Sequence, residues 1–345
     1  MSKTAPRITL TEVARHAGVS RATVSLVLRD SPLVAAETRA RVQASAEAVG
    51  YLYNRGAATM RGLRTRTVGL LVTEIDNPFF GELVAGAEAA LEAAGYIAFL
   101  ATTADSVERQ QRALQRLREH RVDGLILCAA GGTTPQDIAT LAGQGMPCVQ
   151  AMRQVRGSRG DFTGADNLLG LEHLTEHLIR LGHRRFAFAG TAVMNSSLRH
   201  RLDGVETALR RHGLPAPLVL RTAATRQGGA EAAETLWRMR DRPDALVCCN
   251  DVVAFGAIPA LQRLGAGIGQ DIAVTGVGDV PEAANGNPPL TTVATDPRRI
   301  GQEAVRLLLR RIAQPAAAME QVVLPARLVI RASCGAAMPL PAGAA

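Results

Sequence analysis

Thr9-Leu10-Thr11-Glu12-Val13-Ala14-Arg15-His16-Ala17-Gly18-Val19-Ser20-Arg21-Ala22-Thr23-Val24-Ser25-Leu26-Val27-Leu28 decides the fold of the N-terminal region. Thr9 and Glu12 stand at the spacing of a capping box, each side chain within reach of the other residue's amide. Leu10, Val13, Ala14 and Ala17 then fall on one helical face, and Gly18 can take the positive φ that stops the helix. Ser20 restarts it as an N-cap. Val24, Val27 and Leu28 form the buried stripe of the second helix, which leaves Arg21, Ala22, Ser25 and Leu26 facing outward. A third helix, from about Ala36 to Val49, ends at Gly50. Two short helices on a tight glycine turn, with a third in support, predict a helix-turn-helix whose second helix fits a DNA major groove. There Arg21 suits a guanine or a phosphate, and an outward Leu26 suits a thymine methyl.

Charge supports that partner. Residues 1–67 hold eleven basic and four acidic side chains, a surplus of seven in a chain whose total is +8. A basic head on a nearly neutral body predicts contact with a polyanion. The 345 residues, 47% hydrophobic and 20% charged, exclude wholesale disorder and leave room for about two further lobes. No apolar run is long enough to span a membrane, and the polar N-terminus predicts a cytoplasmic, nucleoid-associated protein. Five cysteines without C-x-x-C spacing predict buried reduced thiols, with no disulfide framework and no zinc cluster.

Residues 54–67 read as a linker in which Asn54 to Arg61 can make two helical turns. So short a helix is marginal alone in water, so the segment is expected to order on DNA, with Met60 as a minor-groove wedge. From Val68 the pattern changes. Strands at Val68–Val72, Tyr96–Ala101, Val122–Cys128, Cys148–Ala151, Arg185–Ala189, Ala245–Cys249 and Ile272–Val277 alternate with helices, as parallel sheets covered on both faces require. Charge and glycine interrupt the rhythm at Arg153–Thr163, so two sheets with a cleft between them are expected. Ligands of such sheets sit at the carboxyl ends of the strands.

The chain resembles the LacI/GalR family of bacterial transcriptional repressors from Thr9 to Arg331. The resemblance rests on the Thr9–Leu28 motif, V-x-x-x-T-R-x-R-V at Val34–Val42 and G-Y-x-x-N at Gly50–Asn54. In the body it rests on N-P-F-F (Asn77–Phe80), V-D-G-L-I-L (Val122–Leu127), D-N-x-x-G (Asp166–Gly170), G-H-R-R (Gly182–Arg185), R-L-x-G (Arg201–Gly204), Asn250-Asp251 and P-P-L-T-T-V (Pro288–Val293). It implies an α/β fold: a small all-α helix-turn-helix head (1–53), a hinge helix (54–67) and a two-lobed, doubly wound parallel-sheet core (68–335), similar to periplasmic binding proteins. The lobes are expected at about 68–165 with 297–316, and 166–296 with 317–335, before a disordered tail at 336–345.

The same resemblance implies a homodimer, or a tetramer, on pseudo-palindromic operator DNA, controlled by a small sugar-like effector, with no cofactor and no metal. It places DNA contacts at Thr9, Arg21, Ala22, Thr23, Ser25, Leu26, Asn54, Ala57 and Met60, and effector contacts at Phe80, Ser197, Arg201 and Asn250. The chain departs from the family pattern at Ala35, where a serine is common, and at Met60, where leucine is usual. In the cleft, Met152 and Gly278 replace two carboxylates and Ala224 replaces a stacking aromatic, so a simple hexose in the usual pose is not expected. Two rival readings compete with this one. His173-Leu174-Thr175-Glu176-His177 matches a metallopeptidase pattern but lacks a third ligand. A pure solute carrier leaves the basic head unexplained.

Overall fold

The computed structural model describes residues 8–28, 31–51, 64–190 and 192–336. The chain divides into two compact units at Thr65/Arg66. Asn54, Ala57 and Met60, with most of the expected hinge and the tail from residue 337, lie outside the described residues.

The head is three helices: α1 (Leu10–Ala17), α2 (Arg21–Val27) and α3 (Ala36–Ala48). The Glu12 carboxylate closes the start of α1, accepting from the Thr9 amide at 2.6 Å and the Thr9 hydroxyl at 2.9 Å. Those same bonds hold the exposed Glu12 carboxyl below its ordinary pKa, the Thr9 amide contributing most. Gly18 ends α1 at φ 64°, a conformation that L side chains resist. Val13, Val24, Val27 and Val42, all nearly inaccessible, meet at the centre of the three helices. Each buried valine contributes about 1.5–3 kcal/mol, and a unit this small has little else to draw on.

The second unit holds two six-stranded sheets of matching design. The first runs in the order β11-β5-β4-β3-β1-β2, all parallel. Its strands are β1 (Thr67–Val72), β2 (Ile97–Thr102), β3 (Gly124–Leu127), β4 (Cys148–Ala151), β5 (Asp161–Ala165) and β11 (Gln321–Leu324). The helices α4 (Pro78–Ala93), α5 (Val107–Glu119), α6 (Pro135–Gly143) and α12 (Pro297–Ala313) belong to this lobe. The second sheet runs β12-β10-β9-β8-β6-β7, with only β12 antiparallel. It comprises β6 (Phe186–Ala189), β7 (Leu218–Leu220), β8 (Ala245–Cys248), β9 (Ala273–Gly278), β10 (Thr291–Ala294) and β12 (Arg327–Val329). It carries α7 (Asn167–Arg180), α8 (Ser196–Arg211), α9 (Arg226–Trp237), α10 (Asp251–Arg263) and the short α11 (Glu282–Asn285). The all-buried β1, β3, β6, β8 and β9 are what a sheet covered on both faces demands. Strand order reverses beside β1 in one sheet and β6 in the other, and there the loops part to form a crevice.

Two expectations need correction. The stretch read as an interruption, Arg153–Thr163, ends in β5, an interior strand. Its sequence hid this because a charge opens it: Asp161 is 1% exposed. Arg311 binds both oxygens of Asp161, at 2.8 and 3.1 Å, and the Glu320 amide donates to it at 2.8 Å. The same carboxylate corrects the lobe boundary. Residues 317–335 do not all return to the second lobe: β11 pairs with β5 in the first sheet, and only β12 joins the second.

Candidate functional site

In the head the candidate surface is the outer face of α2. Ser20 caps it, its hydroxyl oxygen accepting from the Thr23 amide at 3.0 Å and lying 2.9 Å from the Thr23 hydroxyl. That bond fixes where α2 begins and satisfies one of the open amides of its first turn. Arg21 and Ala22 are exposed, as is Thr9. Thr23, Ser25 and Leu26 are half-buried, so the outward face is narrower than the sequence predicts. A projecting cation beside small side chains on a capped helix is a surface shaped to enter a groove and read base edges.

In the core the candidate site is a cavity of about 310 Å³ between the lobes, lined from the carboxyl ends of both sheets. Phe80, Ser197, Arg201 and Asn250 are all brought together on its walls, with the departures Met152 and Ala224. Gly278 lies at the edge of the same region, at φ 141°, with the Asp251 carboxylate over its α-carbon.

Each side chain has a defined local cause. Arg201, 8% exposed on α8, is held by the Asn167 side-chain oxygen (2.7 Å) and by the Cys249 carbonyl. Burial pulls its pKa down to about 10, so it stays charged at neutral pH. Asn250 caps α10, its side-chain oxygen accepting from the Val253 amide at 2.9 Å. Asp251 turns away from the cavity, accepting from the Thr292 hydroxyl (2.5 Å) and the Val280 amide (3.0 Å). Burial pushes its pKa up to about 6. Phe80 packs edge-on against Phe79, ring centroids 5.4 Å apart, and is 2% exposed.

The lobes are latched where these walls meet. The Ser197 hydroxyl donates to the Met152 carbonyl (2.7 Å), and the Gln154 amide donates to the Ser196 hydroxyl (3.0 Å). Ala104, Asp105 and Met152 carry positive φ without being glycine, a backbone strain that clusters at binding sites.

Several lining residues escaped the sequence reading: Glu74, Asn77, Asp105, Arg153 and Asn195. Arg153 pairs with Asp105 at 2.5 Å and reaches the Ala129 carbonyl at 3.1 Å. Burial raises the Glu74 pKa, against the Asn77 amide donating to it at 3.2 Å. The usable signal was positional, because each follows a parallel strand within a few residues. Glu74 and Asp105 thus bring carboxylates to the lining from loops other than those of Met152 and Gly278.

Burial pushes the thiols of Cys128 and Cys249 up to about 11 and about 12, which removes them as nucleophiles. His177 of the metallopeptidase-like pattern is buried against Cys334 (3.5 Å), whereas His173 is exposed. Among the described residues no group of metal-ligating side chains forms a site, and no helix is long and apolar enough to cross a membrane.

Comparison with known proteins covers both regions. Residues 9–54 match the model for bacterial regulatory proteins of the lacI family, and residues 175–334 match the periplasmic binding protein-like domain. The maltose regulon regulatory protein MalI of Escherichia coli K12 is 31% identical over 94% of this chain and 98% of its own. The structure of the lac repressor dimer bound to operator and the anti-inducer ONPF superposes with a TM-score of 0.84, at 28% identity, covering 96% of this chain and all of that one. The complex of the transcriptional regulator CelR with cellobiose gives 0.70 at 32% identity, covering 95% of this chain and all of that one. A helix-turn-helix head, a two-lobed core and a relative alike over nearly its whole length converge on one conclusion: the chain belongs to the lacI family of bacterial regulatory proteins, and is a DNA-binding transcriptional regulator with an effector-binding core rather than an enzyme.

Proposed function

We propose that the protein is a homodimeric repressor whose two heads bind the half-sites of a pseudo-palindromic operator in the compartment that holds the DNA. A small polyhydroxylated metabolite in the interlobe cavity sets its affinity for that operator. The observation that carries this reading is the cavity itself: both lobes supply its walls, and Ser197 on one lobe is bonded to Met152 on the other. A ligand gripped from both sides changes the balance between open and closed lobes, the kind of two-state element that couples a core to a head. The lining favours a ligand met by Arg201, Arg153 and asparagine donors, with Glu74 and Asp105 as acceptors, instead of a simple hexose.

A dimer is supported by the edge of the first sheet. There β2 has a neighbour on one side only and exposes Ile97, Phe99 and Leu100. An apolar sheet edge of this kind calls for a partner. Arg21, Ala22 and Leu26 read bases in this scheme, and Thr9, Thr23 and Ser25 contact the DNA backbone. Asn54, Ala57 and Met60 act from the linker.

Selecting bound duplexes from a random pool tests the first part, with a two-fold symmetric site expected. Screening metabolites against that duplex tests the second. At least one small polyol or its acid derivative should shift operator affinity by about 5-fold or more, the lower range of allosteric coupling. If none does, the core is a dimerisation scaffold only.

A further inference from the structure

Beside the effector cavity lies a second interlobe crevice of about 660 Å³, which the regulatory reading leaves unused. Arg153 and Asn195 line both. Most of the rest of its wall comes from the Ala129–Thr133 loop and the segment around Arg156 on the first lobe, and from Ser196, Arg199, His200 and Asp203 at the start of α8 on the second. Three guanidiniums and one carboxylate, Asp203, thus line the crevice, and of the three only Arg153 is already paired among the described residues, with Asp105. Arg156 and Arg199 are exposed, and among the described residues neither has a hydrogen-bond or ion-pair partner for its side chain. Arg153 is held by Asp105, yet its Nε is a buried donor without an acceptor. The first turn of α8, a sixteen-residue helix, opens at the same crevice and adds the positive end of its dipole.

We infer that this crevice is a second binding site, for a small phosphate-bearing anion, held between Arg156 of the first lobe and Arg199 of the second with Arg153 behind. Unpaired like charges on opposite walls disfavour closure, and a dianion between them reverses that sign. Guanidinium forks bond phosphate oxygens at two points, and a phosphate dianion brings twice the charge of a carboxylate to the two unpaired guanidiniums. The site lies where the Gln154–Ser196 and Met152–Ser197 bonds already join the lobes. Anion binding therefore adds to the closed state without occupying the effector cavity. This inference goes beyond the proposed repressor function and stands or falls separately from it.

The test uses the full-length protein and inorganic pyrophosphate as the probe, titrated calorimetrically at an ionic strength fixed with potassium chloride. One saturable site per chain is expected. Arg156→Gln with Arg199→Gln should weaken it at least tenfold and abolish the rise in melting temperature that the probe gives the intact protein. The double variant keeps the basic head, so any anion taken up there registers equally in it and in the intact protein. Arg201→Ala, which disables the effector cavity, should leave pyrophosphate binding within about twofold. If the double variant lowers the melting temperature of the free protein, Arg156→Gln alone carries the test, with at least threefold weakening expected. Equal affinity in the arginine variants, no saturable binding, or loss of binding on Arg201→Ala each overturns the inference.

Discussion

The reading face of α2 and the lining of the interlobe cavity are both polar surfaces, built in opposite ways. The face of α2 comes from a few consecutive residues, and Arg21 and Ala22 project from it into solvent. The cavity draws residues from Thr73 to Val277, and nearly every polar group there is engaged: Arg201 by Asn167 and Cys249, Ser197 by Met152, Asn250 by the start of α10. A presented surface keeps its donors free for the ligand, whereas a convergent one has them aimed by neighbours beforehand. Changes on α2 should therefore act on DNA alone, and changes in the cavity on ligand and core stability together.

The largest effect that sharpens this contrast is Val24→Asp. Val24 is inaccessible at the centre of the head, and a buried unpaired charge costs more than so small a unit can bear. Operator binding should vanish while the core melts unchanged by calorimetry. A core transition that moved with it would deny that the two units fold separately. Next, Arg201→Ala should weaken effector binding by about 100-fold, roughly the loss of a buried charged hydrogen-bonding partner. Operator affinity without effector should hold. Loss of both would break the contrast.

Arg21→Ala should cost about 1–3 kcal/mol at one base position in each half-site. Competition among single-base operator variants reads this out, and equal weakening on every sequence would make Arg21 a phosphate contact.

Asp251 gives a pH signature of unusual sign. Its pKa rises from 3.8 in the unfolded chain to about 6 when folded, so between those values the folded protein holds the extra proton. Stability from this group is present at the acid end of that window and is lost as pH rises through 6, with a slope of at most about 1.4 kcal/mol per pH unit. Denaturant melts of the wild type should lose stability relative to Asp251→Asn between pH 4 and pH 6, then run parallel; a constant gap would contradict the burial argument. The smallest expected change is Ser197→Ala. Losing one interlobe hydrogen bond costs about 0.5–1.5 kcal/mol, a few-fold in effector affinity, and no change at all would mean that the bond does not hold the lobes.

The same difference explains what the sequence revealed. Thr9, Gly18, Ser20 and the valine stripe act over three or four residues, so the head was readable almost to its caps, although the partial burial of Leu26 was not. The β1, β3 and β8 runs announced a doubly wound core, since only a strand covered on both faces is continuously apolar. β5 escaped because Asp161 is neutralised by Arg311, 150 residues away, and no local pattern carries that pairing. Arg153, Asp105 and Glu74 escaped for a related reason: their place in the cavity follows from sheet order, and an isolated charge in a loop looks like ordinary surface until that order is known. Arg201 and Asn250 were found by resemblance, not by periodicity.

The central claim is that the first fifty residues present a helix that discriminates among duplex sequences, under control of a core that grips a ligand from both lobes. Fluorescence anisotropy of the intact protein, titrated onto its selected duplex and onto a scrambled duplex of equal length at about 150 mM salt, tests it most directly. The account predicts binding to the selected duplex at least 10³-fold tighter, the lower range for specific recognition, with affinity for both falling steeply as salt rises. Equal affinity for the two duplexes would contradict it.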